Sequence, residues 1–142
     1  MVLNLSRKVC RYIYKDKVIG FIVEKEVKKW LEQAKSDLSA AQSSVTTKNF
    51  DWACFQAQQA AEKALKALLL QKSGKIIKTH DLVFLGAEAD LPEQFKEVCK
   101  ELTLIYVHVR YPTATEVRDL KNKSSRYIAV VRELLKWIEK QF

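Results

Sequence analysis

Two histidines, His80 and His108, are the side chains of this 142-residue chain that ordinarily exchange protons near neutrality. His108 stands two positions before Arg110, and on a helix that separation is about 200°, so the two side chains diverge and form no catalytic pair while the helix holds. Arg110 suits phosphate, because its planar fork meets two oxygens at once, and Tyr111 beside it offers a ring on which a base can stack. Arg-Tyr-Pro at a helix end also serves simply to cap carbonyls and pack under a loop, so both readings stand. Upstream, Gln59, Glu62, Lys63 and Lys66 form a polar stripe in which Glu62 and Lys66 have the favourable i,i+4 spacing. The stripe is either the solvent face of its helix or the wall of a cleft beside Arg110. In the second case Lys63 would meet phosphate and Gln59 would bond a base or ribose. His80, next to Asp81, is either a capping and core-supporting residue or a proton-transfer group.

Other chemistries find no support. No carboxylate pair has metal-site spacing with a histidine, and no Ser or Cys has a recognisable base, so the expectation is no metal, no cofactor and no covalent catalysis. Cys10, Cys54 and Cys99 are too far apart to read as a zinc knuckle or a disulfide framework. Three Gly and two Pro argue against sandwiches, barrels and Gly-rich phosphate loops. Trp30, Trp52 and Trp137 read as core or interface anchors.

Long helices must therefore position the candidates. From Glu24 to about Thr46, Val27, Leu31, Ala34, Leu38, Ala41 and Val45 step by four and three along one helical face. Asn49 or Asp51 can cap a second helix running to about Lys72, before Gly74. There Ala53, Ala57, Ala60, Ala64 and Ala67 make a ladder of small side chains while Phe and Leu residues cover the other directions, the pattern of a central, buried helix. A basic loop over 71–79 leads to a short third helix with Thr79 as its cap. Pro92 opens a fourth helix carrying Phe95, Val98, Leu102, Ile105 and Val109, which stops at Tyr111 because Pro112 disfavours helical geometry before it. Thr113 with Glu116 fits a capping box, but polar residues Asp119 to Ser125 predict a loop or turn first. A last helix then carries Ile128, Val131, Leu135, Ile138 and Phe142. The fold class is all-α, an up-and-down bundle of four or five helices over residues 24–142.

Residues 1–23 read differently. VCRYIY and VIGFIV are β-branched and aromatic runs flanking Lys15-Asp16-Lys17, the pattern either of a β-hairpin extension that must pack on the bundle or pair with another chain, or of a partly ordered appendage or overlong start site. Charge follows the same division. The chain has 25 basic and 17 acidic residues, net +8, and residues 30–112 carry ten of each, so the excess sits at the two ends. Basic ends suit a polyanion such as RNA, through counterion release, or are simply a solvated lysine-rich surface. No apolar run approaches the roughly 20 residues that span a bilayer, and Lys15 to Lys17 interrupt any signal-peptide core, so a cytoplasmic protein without membrane contact is expected.

WACFQAQQAAEKALKALL (52–69), KTHDL (78–82), YVHVRYP (106–112) and a last amphipathic helix with LLKWIEK together resemble the HEPN family of small helical domains over about residues 24–142. The resemblance implies an up-and-down bundle, frequently a homodimer, associated with nucleotide binding or RNA cleavage. Many members are encoded beside a minimal nucleotidyltransferase, with which they form a toxin–antitoxin pair. Ribonuclease members carry an Arg followed a few residues later by His. Here Arg110 is followed by YPTATEVRDL, and no His comes after it. Cleavage at the 2′-hydroxyl needs a proton-exchanging group and a cation that stabilises developing phosphorane charge. The resemblance therefore implies a noncatalytic module that binds a nucleotide or RNA and a nucleotidyltransferase partner, through Arg110, Tyr111, Lys63, Gln59, Glu62 and His80. The alternative is a metal-independent endoribonuclease toxin whose site assembles around Arg110 across a dimer. A third reading is a dimeric interaction bundle with no small ligand.

Overall fold

A computed structural model describes the backbone of residues 7–111 and 119–142, and the side chains of residues 17–111 and 119–142. Five helices follow in order: α1 (Arg7–Thr46), α2 (Phe50–Ser73), α3 (Leu82–Glu88), α4 (Glu93–Arg110) and α5 (Leu120–Glu139). α2 is the central element, packed against α1, α3, α4 and α5. Its alanine ladder is the reason: Ala53, Ala57, Ala60, Ala64 and Ala67 are all fully buried, and backbones approach closely where side chains are small. Leu65, Leu68 and Leu69 fill the remaining directions and join Phe95, Leu102, Ile105, Ile128, Val131 and Ile138 in one core.

Helix ends follow local chemistry. Gly74 closes α2 in the left-handed region at φ 70°, and its N–H bonds the Leu70 carbonyl at 2.7 Å. α3 is capped by Asp81 rather than by Thr79. The Asp81 carboxylate accepts from the N–H groups of Val83 and Phe84 at 2.9 and 3.2 Å, while the Thr79 hydroxyl accepts from the Asp81 N–H one step too early to cap. Asp81→Ala is expected to lower stability by about 0.5–2 kcal/mol, read from the urea midpoint. Tyr111 is extended (φ −125°, ψ 106°), as a residue before proline should be.

Three further expectations need correction. The N-terminal hairpin is not formed: Arg7 to Val23 continue α1, a helix of 40 residues. Lys15-Asp16-Lys17 lacks the Asn-Gly or Asp-Gly pair that the tight turns of hairpins favour. The helix already nucleated beyond Glu24 extends instead, gaining one hydrogen bond per residue at no further nucleation cost. Second, Leu120 to Ser125 are helical rather than a loop, and the last helix stops at Glu139, leaving Phe142 half-exposed beyond it. Asn122 bonds Asp119 and the Ser124 hydroxyl bonds the Lys121 carbonyl, so these polar side chains are satisfied without leaving the helix. Third, the polar stripe of α2 is not a solvent face, as its geometry shows below. The capping box of Thr113 and Glu116 lies outside the described residues.

Candidate functional site

A buried polar centre interrupts the apolar face of α2. Glu62 and Lys66 are 4% and 7% exposed, and Gln58 is fully buried. Positions 58, 62 and 66 share one stripe at i,i+4 spacing, so their side chains meet: Gln58 Nε2 donates to Glu62 Oε2 at 3.0 Å, and Lys66 Nζ to Glu62 Oε1 at 2.8 Å. The loop after α2 returns alongside and brings His80, whose Nδ1 lies 3.1 Å from both Glu62 oxygens. Gln59 Nε2 donates to Gln58 Oε1 at 2.7 Å. A buried carboxylate is tolerated because its lone pairs are occupied by a cation and by donors. Among the described residues no buried side-chain nitrogen or oxygen lacks a partner.

From this centre the network reaches the surface. The His80 side chain is 56% exposed, although the carboxylate beneath it is not. An ionised carboxylate only accepts, so towards it His80 is the donor, through Nδ1. The imidazole stacks on Tyr106 with centroids 4.4 Å apart and 18° between planes. Arg110, four residues beyond Tyr106 on α4, places its guanidinium carbon 5.0 Å from the same ring, and its Nη1 donates to the Tyr106 hydroxyl at 2.6 Å. Phe55 also stacks on Tyr106, with centroids 6.0 Å apart, and Trp52 meets Phe55 edge-on at 5.4 Å. One tyrosine thus holds an imidazole backed by a buried carboxylate and a solvent-facing guanidinium.

The sequence candidates divide. Glu62, His80, Gln59 and Arg110 belong to one connected network. Lys63 does not join them: it pairs with Asp37 of α1 instead. Tyr111 stands at the end of α4, about half exposed. Gln58, Tyr106 and Lys66 complete the network. Tyr106 was readable as the i−4 neighbour of Arg110, and Gln58 as the i−4 neighbour of Glu62.

A second polar cluster is structural. Glu101 of α4 accepts from Arg126 Nη2 at 2.9 Å and from the buried Tyr127 hydroxyl. Partial burial raises the Glu101 pKa, but the hydrogen bonds from Arg126 and Tyr127 and the charges of Arg126 and Lys123 outweigh it, so the carboxyl titrates below its ordinary range. Burial likewise pushes the Cys54 thiol up to about 12, helped by Asp51, and Cys99 to about 11. Neither is a usable nucleophile. Thiol-reagent titration at pH 8 is expected to leave both unlabelled in the native protein and to label both once denaturant unfolds it.

Such a bundle, its central helix carrying a buried carboxylate network, is of the kind found in small helical domains, and the comparisons give its family. The HEPN domain family model matches residues 27–141, and the chain belongs to that family. The crystal structure of TT1696 from Thermus thermophilus is similar at 32% identity and a TM-score of 0.74, covering 82% of this chain and 98% of that one. An archaeal HEPN homologue of known crystal structure is similar at 28% identity and a TM-score of 0.68, covering 82% of this chain and 97% of that one. No curated protein matches the chain. Among the described residues no helix is long and apolar enough to cross a membrane.

Proposed function

We propose that this HEPN bundle is a noncatalytic module that binds the phosphate of a nucleotide or RNA at the face built by His80, Tyr106 and Arg110. The observation that carries this reading is the Arg110 guanidinium, held on the Tyr106 ring yet open to solvent. A braced guanidinium loses little freedom on binding and offers its remaining donors to phosphate oxygens. Leu104, Val107 and Tyr111 lie at i, i+3 and i+7 on the outer side of α4, all half-exposed or more. That apolar stripe, adjoining Arg110, supports a homodimer with the ligand near the junction. A minimal nucleotidyltransferase partner belongs to the proposal on the family resemblance alone.

Arg110→Ala is expected to weaken binding of a short single-stranded RNA by about 5- to 150-fold at low salt, the range of one charge-assisted contact, and to flatten the salt dependence. Fluorescence anisotropy against salt concentration measures both. Equal affinity of wild type and variant would move the site elsewhere. Metal-independent RNA cleavage is the second reading, favoured by the Glu62-backed imidazole reaching the same tyrosine as Arg110. RNA incubated with the protein and a chelator should stay intact. Cleavage that vanishes in both His80→Ala and Arg110→Ala would install the catalytic reading in place of the binding one.

A further inference from the structure

His80 has a second neighbourhood. Besides stacking on Tyr106, it lines a cavity of about 350 Å³ whose other walls include Trp30 of α1, Lys66 of α2, and Ile76 and Lys78 of the loop after α2. We propose that this cavity receives the heteroaromatic base of the phosphate ligand, with Trp30 and His80 as its ring walls and Lys78 as the cation at its rim. The inference rests on the phosphate-binding reading of Arg110 and extends it from phosphate to base.

Three features carry it. The volume falls at the small end of ligand pockets, room for one base with its sugar and too little for a duplex or a folded partner. The walls combine two aromatic rings with an interior cation, Lys66, whose ammonium lies 6.0 Å from the Trp30 centroid. That ammonium uses one of its three donors on Glu62, which cancels its charge and leaves N–H groups for a base or ribose oxygen. Charge also differs between the walls. Lys66 is paired with the buried Glu62 carboxylate, whereas Lys78 on the wall, with Lys72 and Lys75 further along the chain, stands exposed. A neutral ring is thereby favoured inside and an anion at the edge, the polarity of a nucleotide. The same His80 connects the cavity to Tyr106 and Arg110, so base and phosphate sites are continuous.

Binding of three probes decides the matter: adenosine monophosphate, a six-nucleotide oligoadenylate, and inorganic tripolyphosphate, which has charge and no base. Trp30→Ala is expected to weaken the two adenine probes by about 5- to 150-fold, the range supplied by stacking one base on one ring, and to leave tripolyphosphate unchanged. Trp30→Phe should restore most of the loss. Ile76 is half-exposed at the cavity, so Ile76→Trp can be accommodated by the fold and should narrow the space with the same selective effect, which guards against a Trp30→Ala variant that fails to fold. Preference for the oligonucleotide over the monophosphate identifies single-stranded RNA as the source of the base, and the reverse identifies a free nucleotide. Adenine binding sensitive to Arg110→Ala but indifferent to Trp30→Ala and Ile76→Trp overturns the cavity and leaves the Arg110 reading intact. No binding of any probe by the wild type overturns both.

Discussion

Glu62→Ala is expected to cost about 3–5 kcal/mol of stability, because it removes the carboxylate that holds a buried ammonium. Lys66 is only 7% exposed, and its Nζ is paired with the Glu62 carboxylate at 2.8 Å. Without it the cation must either lose its proton or drag water into the contact with α1 near Trp30. Gln58 also loses the acceptor of its 3.0 Å bond, and a buried amide left unmatched adds about 1–3 kcal/mol of desolvation that relaxation only partly relieves. The measurement is urea denaturation of wild type, Glu62→Ala, and the double variant Glu62→Leu with Lys66→Met. The double variant replaces the ion pair by apolar groups of similar volume and should regain most of the loss, since the single change exposes the cost of an orphaned charge rather than the worth of the pair. Should Glu62→Ala unfold at the wild-type urea midpoint, Lys66 does not depend on this carboxylate and the buried centre has been misread. The double variant also detaches His80 from its anchor while sparing the fold. It therefore separates the role of Glu62 in stability from its role in holding the imidazole.

The bundle was legible because its helices keep strict three-and-four spacing over many turns, and the alanine ladder alone placed α2 at the centre. That same reading already contained the answer to the polar stripe. A helix with apolar residues in every direction has no solvent face to give, so Glu62 and Lys66 had to be buried as a pair. Spacing showed that they could meet; only packing shows that they must. The extension at residues 7–23 was misread for the opposite reason. β-branched runs state what a pleated surface would accept, yet among the described residues no sheet receives them, and a neighbouring helix imposes its own geometry on the chain.

The link between His80 and Arg110 was beyond local pattern. They are thirty positions apart along the chain, and the element joining them is Tyr106, whose ring touches both. The ribonuclease pattern implied by the family resemblance asks for a histidine after the arginine in sequence, whereas proton transfer asks only for an imidazole near the phosphate in space. Lys63 illustrates the converse. It sits one residue from Glu62, but a step of one residue turns a helix by about 100°, and the side chain goes to Asp37 on α1.

That α1 contact supports the second large effect, Ala60→Leu, expected to destabilise the protein by about 1–3 kcal/mol or more. The α1-facing stripe of α2 is marked by three observations: Gln56 hydrogen-bonds Ser44 at 2.6 Å, Lys63 pairs with Asp37, and Ala67 clusters with Val27. Ala60 lies between Gln56 and Lys63 on that stripe. The antiparallel pairing of 37 with 63 and of 44 with 56 puts residues 40 and 41 opposite it, and of these Ala41 is fully buried, as Ala60 is. Two alanines facing each other leave no long side chain to change rotamer, so three added carbon atoms can be admitted only by moving the backbones apart. Separation would stretch the Lys63 to Asp37 ion pair and the Ser44 to Gln56 bond on either side of the insertion. Ala41→Leu should cost a similar amount, and the two together should be worse than additive because they compete for one space. Thermal and urea unfolding of the three variants provides the check. A leucine at position 60 tolerated without loss would mean that α1 and α2 are not in backbone contact there. The alanine ladder would then owe its presence to something other than close packing.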